Sequence, residues 1–96
     1  MKPSLALQQH RIAIRAIVER HNAQNPRIFG SVLHGDDTEE SDMDILIEPK
    51  GRLSLFDIGA IYIELTELLG FDVDILTPNA LPEKWKNQVL KEAMKI

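Results

Sequence analysis

The chain has 96 residues, 44% of them hydrophobic and 27% charged, which places it among globular domains and leaves room for one two-layer core. Fifteen Asp and Glu outweigh eleven Lys and Arg, for a net charge of -4 that argues against a broad surface for neutralising nucleic-acid phosphates. No cysteine is present, which excludes disulfides, thiolate zinc sites and cysteine nucleophiles and is compatible with a reducing compartment. The opening residues MKPSLALQQHRIAIR lack the apolar run of a signal peptide and no stretch has the length of a membrane span, so the expectation is a single cytosolic domain over residues 1–96.

In chain order, a helix is predicted from Ser4 to about His21, with Leu7, Ile14, Ile17, Val18 and His21 on one stripe, Pro3 before it and Asn22 to Pro26 after it. Arg27 to Phe29, between Pro26 and Gly30, reads as a short first strand. Asp42 to Glu48 is the second strand, ended by the turn Pro49, Lys50, Gly51, Arg52. Ser54 and Asp57 form a variant capping box that opens a helix with Ile58, Ile61, Tyr62, Leu65, Leu68 and Leu69 on one face, and Gly70 is placed for a left-handed cap. Phe71 to Thr77 is the third strand, and Trp85, Val89, Ala93 and Met94 mark a last amphipathic helix. Strands alternating with helices predict an α/β fold, a small mixed sheet with flanking helices. The crossover between strands two and three fits a parallel pair, whereas the direction of strand one stays open.

The chemistry lies in the acidic residues of the strands. Alternation puts Asp42, Asp44, Leu46 and Glu48 on one face of strand two, with Met43, Ile45 and Ile47 opposite, and it pairs Asp72 with Asp74 on strand three. A lone Asp at a strand end is most simply solvated, but two strands with acidic pairs beside apolar faces ask for another reason. Origins two residues apart on a strand are about 7 Å apart, a span able to bracket the roughly 4 Å separation of a two-metal site. Two carboxylates brought to about 4 Å would cost on the order of 4 kcal/mol at an effective dielectric near 20, so such a cluster needs a divalent cation or a shifted proton. Oxygen donors of this kind suit magnesium or manganese. Gly30 and Ser31, where the chain leaves a strand for a short helix, offer free backbone N–H groups to phosphate.

Two neighbouring motifs fail. Gly30 to Gly35 has P-loop glycine spacing, but Asp36 and Asp37 stand where Lys and Ser or Thr are required. The run from Asp36 is no EF-hand, because Ser41 occupies the glycine position, so Asp36, Asp37, Glu39 and Glu40 read as a solvated loop.

Phe29, Gly30 and Ser31, then ten residues, then Asp42, Met43, Asp44 and Ile45 resemble the Gly-Ser, Asp-x-Asp signature of the polymerase-beta-type nucleotidyltransferase superfamily. The short length, SDMDILIE and LLGFDVDILTPNAL are similar, more narrowly, to the minimal nucleotidyltransferases that act as antitoxins beside HEPN-domain toxins. The resemblance implies that Asp42 and Asp44 bind Mg2+, with Mn2+ able to substitute, that Asp74 rather than Asp72 is the third carboxylate, and that Gly30 and Ser31 grip the triphosphate. It further implies transfer of AMP from ATP to a tyrosine hydroxyl of a partner HEPN ribonuclease toxin. One departure stands out: relatives often carry a cationic side chain where this chain has His34, and imidazole is largely neutral at pH 7. His10 and His21 read as structural or surface residues. Two further readings are a binding module that neutralises its partner by contact through the last helix, and a nucleotidyltransferase with another acceptor.

Overall fold

The computed structural model describes residues 1–96, and it is α/β as expected. The elements are α1 (Pro3–Arg20), β1 (Ala23–Phe29), α2 (Ser31–His34), β2 (Met43–Pro49), α3 (Leu55–Leu69), β3 (Val73–Leu76), a 3-10 turn (Pro78–Ala80), α4 (Glu83–Glu92) and β4 (Met94–Lys95). The four strands form one sheet in the order β3-β2-β1-β4, with β2 and β3 parallel and β1 antiparallel to both β2 and β4. The direction left open by the sequence is therefore antiparallel. No helix is long and apolar enough to cross a membrane.

Helices α1 and α3 pack against each other and against the sheet. Ile14, Ile17 and Val18 from α1, Ile61 and Leu65 from α3, and Met43, Ile45, Ile47 and Val73 from the strands belong to one buried cluster. Burying an aliphatic side chain of this size contributes about 1.5 to 3 kcal/mol, so this face supplies most of the fold's stabilisation. The Ser54 hydroxyl accepts from the Asp57 N–H while the Asp57 carboxylate accepts from the Ser54 N–H, and Gly70 caps the far end of α3 at φ 80°. Both predicted termini of that helix are as the sequence indicated.

The structure corrects several expectations. Strand β1 starts at Ala23, not Arg27: Asn25 at φ 50° and Pro26 sit at a register shift that lets the ladder with β2 continue across them. Met94 leaves the last helix at its Ala93 cap and enters β4, a two-residue strand with no legible sequence pattern. Tyr62 and Trp85 are exposed rather than packed, and Leu46, on the face of the aspartates, is fully buried. That face is therefore not wholly wet: β2 meets the 3-10 turn, and Leu81 just after it is buried outside the main cluster. Asp37 is not solvated either; it is buried and accepts the Ser4 N–H at 2.8 Å, closing the first turn of α1. His21, by contrast, is structural as expected: it pairs with Glu64 of α3 and joins two helices.

Candidate active site

Strand register assembles the carboxylates. In the parallel ladder Asp44 lies directly opposite Asp74, and in the antiparallel ladder it lies opposite Phe29, the residue before Gly30. Asp42 immediately precedes β2 and shares the orientation of Asp44. Asp42 and Asp74 are exposed while Asp44 is half-buried. Desolvation of that carboxyl, followed by the charges of Asp74 and Asp42, pushes Asp44 up to about 6 from an ordinary 3.8. All three carboxylates predicted from the sequence thus lie within electrostatic reach of one another.

Gly30 is needed here for two reasons. Its φ of 74° and ψ of -148° belong to a region that side chains rarely enter, and a Cβ at this position would lie 3.1 Å from Cγ of Asp44 and overlap its carboxylate. The chain therefore brings backbone against the central carboxylate. Ser31 is the first residue of α2, whose four residues carry little dipole but leave early N–H groups free. Gly35 ends the helix in a left-handed conformation, returning the chain toward β2.

Asp72 is disposed differently from Asp74. Its carboxylate accepts a hydrogen bond from the Tyr62 hydroxyl of α3, and this bond together with the Asp72 charge pushes the Tyr62 phenol up, with a smaller contribution from Asp42. Sequence reading missed this contact because it placed Tyr62 in the core; the Asp72 carboxylate is held by α3 while Asp74 stays free. His34 lies 3.2 Å from Glu92 at the end of α4. On the same face as Asp44, Glu48 binds Arg27 at 2.7 Å and Asn25 at 2.8 Å.

No three acidic or imidazole side chains form a ready-made ion cage. The donor set still fits Mg2+, which is commonly held by one or two carboxylates with substrate phosphates completing its shell. The chain's one defined pocket, about 160 Å3, is lined by Arg15, Glu19, Asn25, Pro26, Lys95 and Ile96 and includes none of the aspartates. Of the aspartates, Asp42 and Asp74 are open to solvent and Asp44 is half-buried between them on β2.

A mixed sheet that sets three carboxylates beside a Gly-Ser turn defines a class, the α/β domains that transfer nucleotidyl groups. The chain matches the family described as "Polymerase beta, Nucleotidyltransferase" over residues 13–96. It is 38% identical to a candidate protein adenylyltransferase of Methanocaldococcus jannaschii over 80 residues, which are 83% of this chain and 86% of that protein. It is 32% identical to the protein adenylyltransferase MntA of Thermococcus cleftensis over 76 residues, 79% of this chain and 77% of the relative. The solved structure of a candidate minimal nucleotidyltransferase superposes with a TM-score of 0.86 at 34% identity, covering 97% of this chain and 95% of that one. A fold likeness at 19% identity and TM-score 0.67, covering 92% of this chain and 69% of that one, is to the complex of a tri-AMPylated Shewanella oneidensis HEPN toxin with MNT antitoxin. The chain belongs to the polymerase-beta nucleotidyltransferase family.

Proposed function

We propose that the chain is a cytosolic antitoxin that transfers AMP from ATP to a tyrosine hydroxyl of a partner HEPN ribonuclease toxin. The observation that carries the reading is the opposition of Asp44 and Asp74 across the parallel ladder, with Asp42 beside them and Gly30 against Asp44. Support comes from relatives named as protein adenylyltransferases and from the fold shared with the MNT antitoxin of a tri-AMPylated toxin complex.

In this reading Asp42 and Asp44 hold Mg2+ or Mn2+ together with the triphosphate, and Asp74 completes the acidic set. The metal supplies charge neutralisation for the phosphates and for the leaving pyrophosphate. The backbone at Gly30 and Ser31 orients the phosphate tail. Asp74, on edge strand β3, accepts the proton of the incoming tyrosine hydroxyl; the tyrosine oxygen bonds to the α-phosphorus, the bond from the α-phosphorus to the bridging oxygen of the β-phosphate breaks, and pyrophosphate departs. The protein forms no covalent intermediate, so catalysis rests on alignment and on the stabilisation of charge.

The test incubates the purified chain with ATP, Mg2+ and a HEPN toxin encoded beside it, followed by intact-mass analysis of the toxin. Additions of AMP mapped to tyrosine, and lost in Asp42→Asn and Asp44→Asn, are expected; additions undiminished in both variants would remove the metal role. A second reading, neutralisation by contact alone, draws on the exposed apolar residues Leu55, Phe56 and Ile63 along α3, a surface suited to an interface. It predicts equal protection of the toxin by wild type and Asp42→Asn with no nucleotide incorporated.

A further inference from the structure

Topology decides where α4 lies. Strand β3 is at one edge of the sheet and β4 at the other, and the observed pairings make the two strands parallel. The connections β2-α3-β3 and β3-α4-β4 therefore join parallel strands while running in opposite directions across the sheet. Since both are right-handed crossovers under the general rule, they place their helices on opposite faces. Helix α3 covers the hydrophobic cluster, which puts α4 over the face of the aspartates. The dimensions agree: three strand spacings come to about 14 Å, and the 10 residues of α4 span about 15 Å. The ends of this strap are secured by buried Leu81 before it and by the contact of Glu92 with His34 after it. Between those ends none of its residues is fully buried, so α4 stands off from the sheet.

The less exposed residues of α4 include Lys86, Val89, Leu90 and, at its cap, Ala93, spaced as one helical stripe facing inward. Lys86 is the cation on that stripe, and no carboxylate pairs with it. Several other basic side chains are engaged elsewhere. Arg27 is tied to Glu48, His34 to Glu92, Lys84 sits over the Trp85 ring at 5.2 Å, and Lys95 lines the pocket shared with Arg15 and Glu19. We propose that Lys86, on the inner stripe of the α4 strap, is the cation that receives the β- and γ-phosphates of the bound nucleoside triphosphate. This assignment rests on the transferase reading and deepens it.

The test is calorimetric binding of α,β-methylene-ATP and of AMP, each with Mg2+, to the full chain and to Lys86→Gln, Lys86→Arg and Lys84→Gln. Loss of one charge-assisted contact should weaken the triphosphate analogue about tenfold in Lys86→Gln. AMP affinity should be unchanged, Lys86→Arg should restore most of the loss, and Lys84→Gln should bind as wild type. Unaltered triphosphate binding in Lys86→Gln, or equal weakening of the analogue and AMP, would overturn the assignment while leaving the transferase reading intact. A wild type with no triphosphate affinity would overturn both, and toxin labelling that fails despite normal triphosphate binding would overturn the transferase reading alone.

Discussion

Replacing Asp44 by Asn should stabilise the metal-free fold while abolishing AMP transfer, because the half-buried carboxylate is held among like charges. Its pKa is raised from 3.8 to about 6, so the folded chain binds the Asp44 proton more tightly than the unfolded chain does. The resulting penalty is absent below the unfolded value, grows as the pH rises between the two, and is complete above the folded value. A difference of that size corresponds to about 3 kcal/mol if fully expressed. Half-exposed as the group is, solvent screening reduces the expected penalty to about 1 kcal/mol. Asn keeps the shape and discards the charge. In EDTA at pH 8 the variant should therefore unfold about 4 to 8 °C above wild type, and at pH 4.5 the advantage should fall to roughly a third of that. Adding Mg2+ and ATP should reverse the order, since ligand bound to the native state stabilises the chain that binds it. Thermal unfolding followed by circular dichroism under these conditions is the assay. No stabilisation at pH 8 in EDTA, or an equal gain at both pH values, would refute the electrostatic account of the site.

Other outcomes follow from individual contacts. Gly30→Ala must place a Cβ against the Asp44 carboxylate at a left-handed φ, so urea unfolding should show a loss of about 2 kcal/mol together with loss of triphosphate binding; a silent substitution would mean that the chain does not need this close approach. Asp37→Ala removes the acceptor of the Ser4 N–H and should cost about 1 kcal/mol in denaturant titrations. Hydrogen bonding from Ser4 lowers the Asp37 pKa, so this contribution should be present above the unfolded carboxyl value and disappear as the pH falls through the folded one. Tyr62→Phe releases Asp72 without touching Asp42, Asp44 or Asp74, and should leave AMP transfer within about twofold of wild type in a radiolabel assay, below the 100-fold scale of a lost catalytic proton transfer.

The acidic group was legible because strand alternation and register both have simple periods. Asp42 and Asp44 could be placed on one face from sequence alone, and the parallel pairing set Asp74 opposite Asp44. The ends of α3 were legible for a similar reason, since Ser54, Asp57 and Gly70 satisfy local backbone groups that any helix leaves unpaired. What stayed hidden depends on residues distant in sequence. The partner of Asp37 is Ser4, and His21 finds Glu64 only after α1 and α3 have docked. Strand β4 has two residues and no period to detect, and its existence is what sends α4 across the face of the aspartates. The inward stripe of that helix consequently differs from the expected one: Lys86 and Leu90 join Val89 and Ala93, while Trp85 and Met94 point away.

Catalysis and neutralisation by contact are separated most directly by measuring the toxin's ribonuclease activity after incubation with the chain, with and without ATP, for wild type and Asp44→Asn. Protection that requires ATP, persists after the chain is removed, and is absent with Asp44→Asn is the predicted result. Equal protection by both proteins without ATP, lost once the chain is removed, would contradict an adenylyl-transfer mechanism.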